Sequence, residues 1–382
     1  MRVAYVCTDP GIPVFGSKGA SVHVQAVLRE LVRRGDQVHL LCSRTGGPVP
    51  DGLDGVDVML LPAVGKGDTA AREQRAQDAD ACVAPLLDAL PGLDLVYERY
   101  ALWGRTATAW AEQHGVPSVL EVNAPLVQEQ VAHRELVDRP TAQAVAVAAV
   151  STADVVACVS DEVSDWARST STRPERVVTV PNGVDVDRVV PAPLGQTAGD
   201  ASLFTVGFVG TLKAWHGVEL LLEAVDRLHA RDASWRLLVV GDGPSGKALR
   251  AAAGPHVELT GALPPEHVLA QLHRMDVACA PYPDLPGLYF SPLKVYEYLA
   301  AGLPVVASAV GQVPSALDAG RLGVLVPPGD VDALAQSLAD LRADAPRRAA
   351  LAALGRATAV DRYTWRAVVD RVLGLALTGV RA

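Results

Sequence analysis

The chain has 382 residues, of which 49% are hydrophobic and 20% charged, and its formal net charge is −9 at pH 7. This composition is typical of a globular protein large enough for two domains, and it excludes a disordered chain. The acidic balance disfavours a nucleic-acid-binding protein and tight docking on an anionic membrane, although contact of a local patch with a membrane surface stays open.

Short apolar segments alternate with helical patterns along the whole chain. Several of them are continuous Val, Leu and Ala runs, which are typical of parallel strands buried on both faces. The predicted strands are Arg2–Cys7, Gln37–Ser43, Val56–Leu61, Leu95–Arg99, Ser118–Val122, Val155–Ser160 and Val177–Val180, followed by Leu203–Val209, Arg236–Val240, Val257–Leu259, Val277–Pro281, Pro304–Ser308 and Gly323–Val326.

The segments between these strands have the apolar spacing of helices that pack on a sheet. The alternation therefore predicts an α/β fold with doubly wound parallel sheets flanked by helices. So many strands would make an unusually long single sheet. The irregular segment Asp185–Ser202 is the best linker, so we predict two Rossmann-like domains, 1–188 and 200–360.

The N-terminus continues directly into the first strand, and no segment has the pattern of a signal peptide or a membrane span. The cysteines have no metal-ligand spacing, and they are odd in number, which fits a reducing compartment. We therefore expect a cytoplasmic protein without a metal centre. The cysteines are Cys7, Cys42, Cys82, Cys158 and Cys279.

Ligands of parallel α/β proteins gather at the carboxyl ends of strands, so the loops there are candidate sites. The loop Thr8–Ala20 is long and contains Gly16, Lys18 and Gly19. Its glycines permit close approach of the backbone to a ligand, and the helix that follows offers free N–H groups. A phosphate or sugar contact and an ordinary flexible loop are equally good interpretations of this segment alone.

A second loop, Gly210–Gly217, carries Lys213 and His216, which could reach an anion. On local evidence alone, it is as good an interpretation that Lys213 is an ordinary surface lysine and His216 a histidine at a helix cap.

A third segment, Leu288–Gly302, begins a helix. Ser291 is a favoured N-cap residue there, so the N–H groups of Leu293 and Lys294 are predicted to point towards an anion. Glu297 follows on the same helix face, where it could hold the hydroxyls of a ribose or simply pair with Lys294 at the surface.

Two further patterns are weak. The loop Gly241–Lys247 matches the start of a phosphate-binding loop, but Ala248 replaces the hydroxyl residue that would bind magnesium. The tripeptides Asp78–Asp80 and Asp185–Asp187 resemble metal-binding D-x-D motifs. Because neither follows a sheet strand well, we interpret both as solvated surface.

Taken together, segments along nearly the whole chain resemble the motifs of the fourth family of glycosyltransferases, also called glycosyltransferases group 1, whose members have the GT-B fold. The resemblance implies two Rossmann-like domains that face each other across a cleft, with a C-terminal helix within 364–382 crossing back to the first domain. The matching segments are AYVCTDPG and GSKGASVHVQAVLRELVRRGDQVHLLC near the N-terminus, VVTVPNGVD at Val177–Asp185, VGFVGTLKAWHGVELLLEA at Val206–Ala224, VVGDGP at Val239–Pro244 and SPLKVYEYLAAGLPVVAS at Ser291–Ser308.

The resemblance also implies a donor site for a nucleotide sugar. In it, Lys213 and His216 would neutralise the diphosphate, Glu297 would hold the ribose, and the turn around Leu263 would meet the base. The residues that the resemblance assigns to the donor are Gly16, Gly19, Thr211, Lys213, His216, Leu263, Tyr289, Ser291, Leu293, Lys294 and Glu297.

On the first domain, the resemblance places Glu121 and Asn123 opposite the sugar or the acceptor. Together with Lys213 and His216 they form the predicted catalytic set, and Lys18, Arg99 and Asn123 are the predicted acceptor-side residues.

The chain departs from the family pattern at two positions. Tyr289 stands where many members have a glutamate associated with the transferred sugar, so the identity of the sugar cannot be carried over. Thr211 stands where many members have an arginine, and we hypothesise that Lys213 takes over its charge.

The expected function is transfer of a sugar, hexosyltransferase-like (EC 2.4), from a nucleotide diphosphate to a hydroxyl acceptor with retention of configuration and without metal or other cofactor. The nucleotide could be UDP, GDP or dTDP. The acceptor could be a polysaccharide, a lipid, a cyclitol or a natural product. A homodimer is also possible. An inverting mechanism would use Glu121 as base. The alternative functions are a sugar-nucleotide epimerase or phosphorylase on the same fold, and an inactive nucleotide-sugar-binding module.

Overall fold

A computed structural model describes residues 1–193, 202–284 and 289–379. Every predicted strand is confirmed, with ends that differ from the prediction by at most two residues. The strands are β1 Arg2–Cys7, β2 Gln37–Cys42, β3 Asp57–Leu60, β4 Leu95–Arg99, β5 Ser118–Val122, β6 Val155–Cys158, β7 Val177–Thr179, β8 Phe204–Val209, β9 Trp235–Val240, β10 Val257–Leu259, β11 Val277–Ala280, β12 Val305–Ser308 and β13 Val324–Val326.

The helices occupy the connections between the strands, as the apolar spacing predicts. Their ends follow local signals: α1 is followed by Gly35 with φ 82°, and the Asp68 side chain caps α2. The helices are α1 Gly19–Arg33, α2 Thr69–Ala81, α3 Val83–Asp88, α4 Thr106–His114, α5 Leu126–His133, α6 Arg139–Thr152, α7 Asp161–Thr170, α8 Val218–His229, α9 Gly246–Ala252, α10 Pro265–Leu272, α11 Leu293–Ala300, α12 Val313–Ala316, α13 Val331–Ala343, α14 Ala345–Arg362 and α15 Trp365–Thr378.

The chain divides into two compact units, and the boundaries between them lie at residues 182/183 and 364/365. Unit 1 contains residues 1–182 and the helix α15, and unit 2 contains residues 183–364. The sequence-based boundaries at 188, 200, 360 and 364 remain predictions.

Unit 1 is built on a parallel sheet of seven strands in the order β3-β2-β1-β4-β5-β6-β7. Alternate residues of β1 enter different cores. Val3, Tyr5 and Cys7 pack with α1 and α15, whereas Ala4 and Val6 pack with α3 and α4. The sheet is therefore buried on both faces, which explains the continuous apolar runs in its strands.

Unit 2 has a parallel sheet of six strands in the order β10-β9-β8-β11-β12-β13. One face packs against α11 and α12, and the other packs against α8 and α13. Two Rossmann-like α/β domains are thus confirmed.

Candidate functional site

Both sheets reverse their strand order at one point, between β1 and β4 in unit 1 and between β8 and β11 in unit 2. The connections on either side of such a point run to opposite faces of the sheet, and the carboxyl ends of the two strands leave a crevice where ligands bind. The loop 8–20 follows β1, the loop 210–217 follows β8, and the segment that leads into α11 follows β11. These three candidate segments therefore lie at the two points where this topology favours a ligand.

The loop after β8 is pressed closely against the end of β11. Gly217 has φ 62°, and a Cβ atom there would lie 1.9 Å from the carbonyl oxygen of Pro281. Gly210 has φ 148°, and a Cβ atom there would lie 3.4 Å from Nζ of Lys294. Glycine at these positions lets the loop lie directly beside the lysine.

Lys294, in the first turn of α11, is buried and has an exposed fraction of only 9%. Its Nζ lies 4.4 Å from the ring centroid of Phe208 and 5.2 Å from that of Tyr282. Among the described residues this ammonium has no hydrogen-bond partner. Burial lowers the pKa of Lys294 to about 7, against the opposing effect of Glu297. A buried ammonium that lies against ring faces, and has no hydrogen-bond partner within the described ranges, is a site that an anion would complete.

His216 lies beside this lysine, but it is not a cation in the free protein. Its Nδ1 contacts the carbonyl oxygen of Thr211, which can only accept, so Nδ1 carries the proton. Burial, followed by the positive charges of Lys294 and Lys213, lowers the pKa of His216 to about 4. At neutral pH its Nε2 therefore presents a lone pair, and the predicted neutralisation of a diphosphate would require His216 to take up a proton.

The predicted N-cap role of Ser291 is wrong. The helix α11 begins at Leu293 with Pro292 at the N-cap position, and no side chain caps it. The N–H group of Leu293 already donates to the carbonyl oxygen of Ser291 at 2.9 Å, which closes a tight turn before the helix. The Leu293 N–H group is thus less available to a ligand than the sequence indicates.

Glu297 follows one turn after Lys294, on the same helix. Burial raises its pKa, and the positive charges of Arg188 and Lys294 oppose that rise. Because Lys294 is buried, the two side chains do not form the surface pair that the spacing also allowed. The structure adds Arg188, at the start of unit 2, as a charged neighbour that sequence spacing did not suggest.

The remaining donor candidates of unit 2 lie outside its helices and strands. Thr211 is exposed, and its carbonyl oxygen holds His216. Leu263 is partly buried in the turn between β10 and α10. Lys213 places its Nζ 4.4 Å from the ring centroid of Trp215. Tyr289 directly follows residues 285–288, which lie outside the described ranges.

In unit 1, side-chain hydrogen bonds hold part of the loop after β1. The amide nitrogen of Gln25 donates to the carbonyl oxygens of Val14 and Gly16, each at 2.8 Å. Lys18 is the exposed N-cap residue of α1, and a Cβ atom on Gly19 would meet nothing within 4 Å. The roles of these residues towards a donor or acceptor remain predictions.

Glu121, at the end of β5, is the centre of a buried hydrogen-bond network. Its Oε1 accepts from Nη1 of Arg99 at 2.6 Å and from Nδ2 of Asn123 at 2.7 Å. Its Oε2 accepts from the hydroxyl of Tyr97 at 3.0 Å and lies 2.9 Å from Nε2 of His23. The structure thus brings together three of the first-domain candidates, Arg99, Glu121 and Asn123, at the ends of β4 and β5.

The network keeps Glu121 ionised. Burial opposes its charge, but the interactions with His23, Arg99 and Asn123 outweigh burial and lower its pKa to about 2. Burial also lowers the pKa of His23, although the carboxylate beside it opposes that change. At neutral pH we therefore assign an uncharged His23 that donates its Nε2 proton to a carboxylate.

The helix α15 covers this network from one face of the sheet. The ring of its first residue, Trp365, lies 4.6 Å from the ring of His23. Val368 and Val372 line a small cavity together with His23 and Glu121. The C-terminal helix thus helps to build the floor of the candidate site in unit 1.

Comparison with known proteins gives the same assignment over both units. The family model described as Glycosyltransferase Family 4 matches residues 17–188, and the model described as Glycosyl transferases group 1 matches residues 204–344. The D-inositol 3-phosphate glycosyltransferase of Stackebrandtia nassauensis is 30% identical, over 93% of this chain and 86% of its own length. The chain belongs to glycosyltransferase family 4.

Two further comparisons extend this result. The phosphatidyl-myo-inositol mannosyltransferase of Mycobacterium leprae is 37% identical to this glycosyltransferase, over 51% of the chain and 52% of the relative. The structure of the Anabaena protein HepE in complex with UDP superimposes with a TM-score of 0.73 at 19% identity, over 98% of this chain and 99% of that one. The likeness in structure confirms the GT-B fold.

One interpretation of the acidic motifs in this glycosyltransferase is wrong. Asp80 is buried rather than solvated, and it accepts hydrogen bonds from the N–H groups of Arg105 and Thr106 at the start of α4. It caps a helix, which the D-x-D pattern does not indicate. Among the described residues, no group of three His, Cys, Asp or Glu side chains could hold a metal ion, and no helix is long and apolar enough to cross a membrane.

Sequence reasoning missed several residues of the two regions. Tyr97 alternates with Arg99 along β4, so the strand period places it on the same face and could have identified it. The period of α1 indicates only that His23 faces the core. The rings of Phe208 and Tyr282 look like ordinary core aromatics in the sequence, and only the structure shows Lys294 against them.

Proposed function

We propose that this glycosyltransferase binds the diphosphate of a nucleotide sugar at the carboxyl ends of β8 and β11. The observation that supports this most directly is the buried ammonium of Lys294, which lacks a hydrogen-bond partner among the described residues. A phosphate oxygen would supply both a counter-charge and an acceptor, in a desolvated setting where such a contact is strong. Lys213 would add a second positive charge from the loop after β8.

The proposed reaction retains the configuration of the transferred sugar. The acceptor hydroxyl attacks from the side on which the diphosphate leaves, and a phosphate oxygen takes its proton. Negative charge grows on the leaving diphosphate, so fixed cations beside it stabilise the transition state more than the ground state. In this scheme Lys213 and Lys294 carry the leaving charge, and no metal ion or other cofactor takes part.

His216 and Glu297 complete the proposed donor site. A bound diphosphate would raise the pKa of His216, and its protonated Nε2 could then donate to a phosphate oxygen. The Glu297 carboxylate would accept from the two hydroxyls of the ribose, and the nearby charge of Arg188 favours the ionised form that can accept both.

An inverting mechanism draws little support from Glu121. A general base needs a free lone pair and a pKa near the working pH. Four donors surround the Glu121 carboxylate, and its pKa is lowered to about 2. We propose instead that Glu121 positions its neighbours.

The names of two relatives suggest one class of acceptor. The relative from Stackebrandtia is named for D-inositol 3-phosphate and the relative from Mycobacterium leprae for phosphatidyl-myo-inositol, so a cyclitol is a candidate here. UDP, GDP and dTDP all remain candidates for the nucleotide. A cytoplasmic location also belongs to this proposal, since all five cysteines are free thiols, as expected in a reducing compartment.

The test is a thermal-shift screen of the protein against UDP, GDP, dTDP and their sugars. A ligand at about 100 times its Kd stabilises the native state by about 2.7 kcal/mol, which gives a clear rise in Tm. The expected result is that one nucleotide raises the Tm of the wild type and of Lys247→Ala, an exposed-lysine control, but not that of Lys294→Met. Nuclear magnetic resonance of the product then gives its anomeric configuration. Absence of binding by every nucleotide, or an inverted product, would contradict the proposal.

A further inference from the structure

The direction of the hydrogen bonds around Glu121 is fixed by its charge. An ionised carboxylate has no proton to give, so it can only accept. Arg99, Tyr97, His23 and Asn123 must therefore all act as donors towards it. Since two donors approach each of its oxygens, Glu121 has no remaining capacity for a substrate.

The orientation of the Asn123 amide follows from this. Its Nδ2 faces the carboxylate at 2.7 Å, so its Oδ1 is turned away from Glu121. Asn123 is half-buried just beyond β5, and the described structure records no other side-chain hydrogen bond for it. Asn123 thus offers a hydrogen-bond acceptor whose direction Glu121 maintains.

Arg99 offers the complementary group. Within the described residues its guanidinium makes one side-chain hydrogen bond, to Glu121, although it carries five N–H donors. Its positive charge is balanced by the Glu121 carboxylate, and Asp9 places a further negative charge nearby. The two ends of this network, the buried Arg99 and the half-buried Asn123, therefore provide donors and an acceptor with no surplus positive charge for an anion.

We propose that Arg99 and Asn123 form a subsite for an uncharged, polyhydroxylated ring of the acceptor substrate, and that Glu121 is the residue that positions both. A hydroxyl group both donates and accepts, so neighbouring ring hydroxyls can accept from Arg99 and donate to the Oδ1 of Asn123. A phosphate ester would find its negative charge close to the carboxylates of Glu121 and Asp9. This inference rests on the proposed function and adds the class of the acceptor group.

The experiment compares matched acceptors with and without a phosphate: myo-inositol with myo-inositol 1-phosphate, and glucose with glucose 6-phosphate. Binding to the full chain loaded with the nucleotide found in the screen is read by saturation-transfer magnetic resonance, and turnover by release of the nucleotide. We expect the wild type to bind an unphosphorylated probe at least tenfold more tightly than its phosphorylated partner. Loss of the acceptor Oδ1 in Asn123→Ala should weaken that binding about tenfold, as expected for one hydrogen bond.

Glu121→Gln tests the positioning role. It removes the charge that balances Arg99, so the preference should shift towards the phosphorylated probe, which a purely structural defect would not produce. Gln128→Ala, an exposed amide control, should bind both probes as the wild type does. A wild type that prefers the phosphorylated probe or binds neither unphosphorylated one, an unchanged preference in Glu121→Gln, or full binding by Asn123→Ala would each overturn the inference.

The readouts separate this inference from the proposed function. Nucleotide affinity and slow hydrolysis of the donor by water report on the donor site alone. Nucleotide affinity should stay within about twofold of the wild type in Asn123→Ala, because this variant loses its contact to the acceptor and its hydrogen bond to Glu121, and neither belongs to the proposed donor site. If donor hydrolysis falls in step with acceptor binding, the subsite belongs to the donor sugar and the inference is wrong. If no nucleotide binds even the wild type, the proposed function itself fails.

Discussion

The affinity for a nucleotide sugar is expected to fall as the pH rises from about 6.5 to about 8.5, because Lys294 binds an anion only as an ammonium. Burial lowers its pKa to about 7 in the free protein. If the bound diphosphate restores an ordinary lysine pKa near 10.4, linkage predicts that Lys294 alone contributes a loss of about 25-fold over this interval, approaching tenfold per pH unit at its upper end.

Isothermal titration calorimetry with an intact nucleotide sugar measures this slope. The diphosphate bridge of such a donor carries no ionisable terminal phosphate, so the proton that is taken up from the buffer on binding goes to a group of the protein and not to the ligand. Lys294→Met should bind weakly and lose the part of the slope that Lys294 contributes, leaving only the part from proton uptake by His216, whereas Lys247→Ala should retain both the affinity and the full slope. An affinity that does not change with pH in the wild type, or a slope as steep in Lys294→Met as in the wild type, would refute the assignment of Lys294.

The same substitution should stabilise the protein without ligand. A lysine whose pKa falls from 10.5 to about 7 on folding costs the native state about 4 kcal/mol at pH 7. The unfolded chain binds more protons between these two values, so this contribution makes the wild type more stable as the pH rises through that range. Urea unfolding should show a higher free energy of unfolding for Lys294→Met at pH 7, and a difference that shrinks by pH 9. Equal free energies of unfolding for the wild type and Lys294→Met at pH 7 would contradict the conclusion that burial lowers the pKa of Lys294.

Two further predictions concern backbone fit and a buried acid. Gly217→Ala should lower the Tm by several degrees, because its Cβ atom would lie 1.9 Å from the carbonyl oxygen of Pro281, whereas Gly19→Ala should leave the Tm unchanged. Glu98→Gln should raise the Tm at pH 9 but not at pH 5. Burial, then the charge of Asp80, raises the Glu98 pKa to about 8 in the folded protein. The wild type therefore loses stability as the pH rises from the Glu98 pKa of the unfolded chain to that of the folded protein. A Glu98→Gln gain that is equal at both pH values would contradict the shift.

The sequence predicts the fold well because the signals that determine it are local. Buried parallel strands are apolar on both faces, and the helices between them keep their own period, so even short strands such as Val257–Leu259 are recognisable. The C-terminal helix is also visible as an amphipathic segment. Its attachment to unit 1 was expected from the family resemblance and not from periodicity, since contacts between distant segments leave no local signal.

The chemistry of the candidate site is predicted less completely, because it depends on contacts across strands and loops. The motif around Lys294 is visible in the sequence, but the depressed pKa arises from burial against Phe208 and Tyr282, which are far apart in the chain. Likewise, Glu121 looks like a free carboxylate at a strand end. Only the packing of β4 and α1 beside β5 shows that donors occupy it.

The place of α15 in unit 1 has a consequence for protein engineering. Unit 2 is, in chain order, an insertion between residue 182 and Trp365. A chimaera that exchanges unit 2 between relatives should therefore be joined at two points and keep the recipient's own terminal helix. A single junction near the linker would also exchange α15, which packs beside His23 and Glu121, so it would alter the network of unit 1 in an experiment meant to change only unit 2.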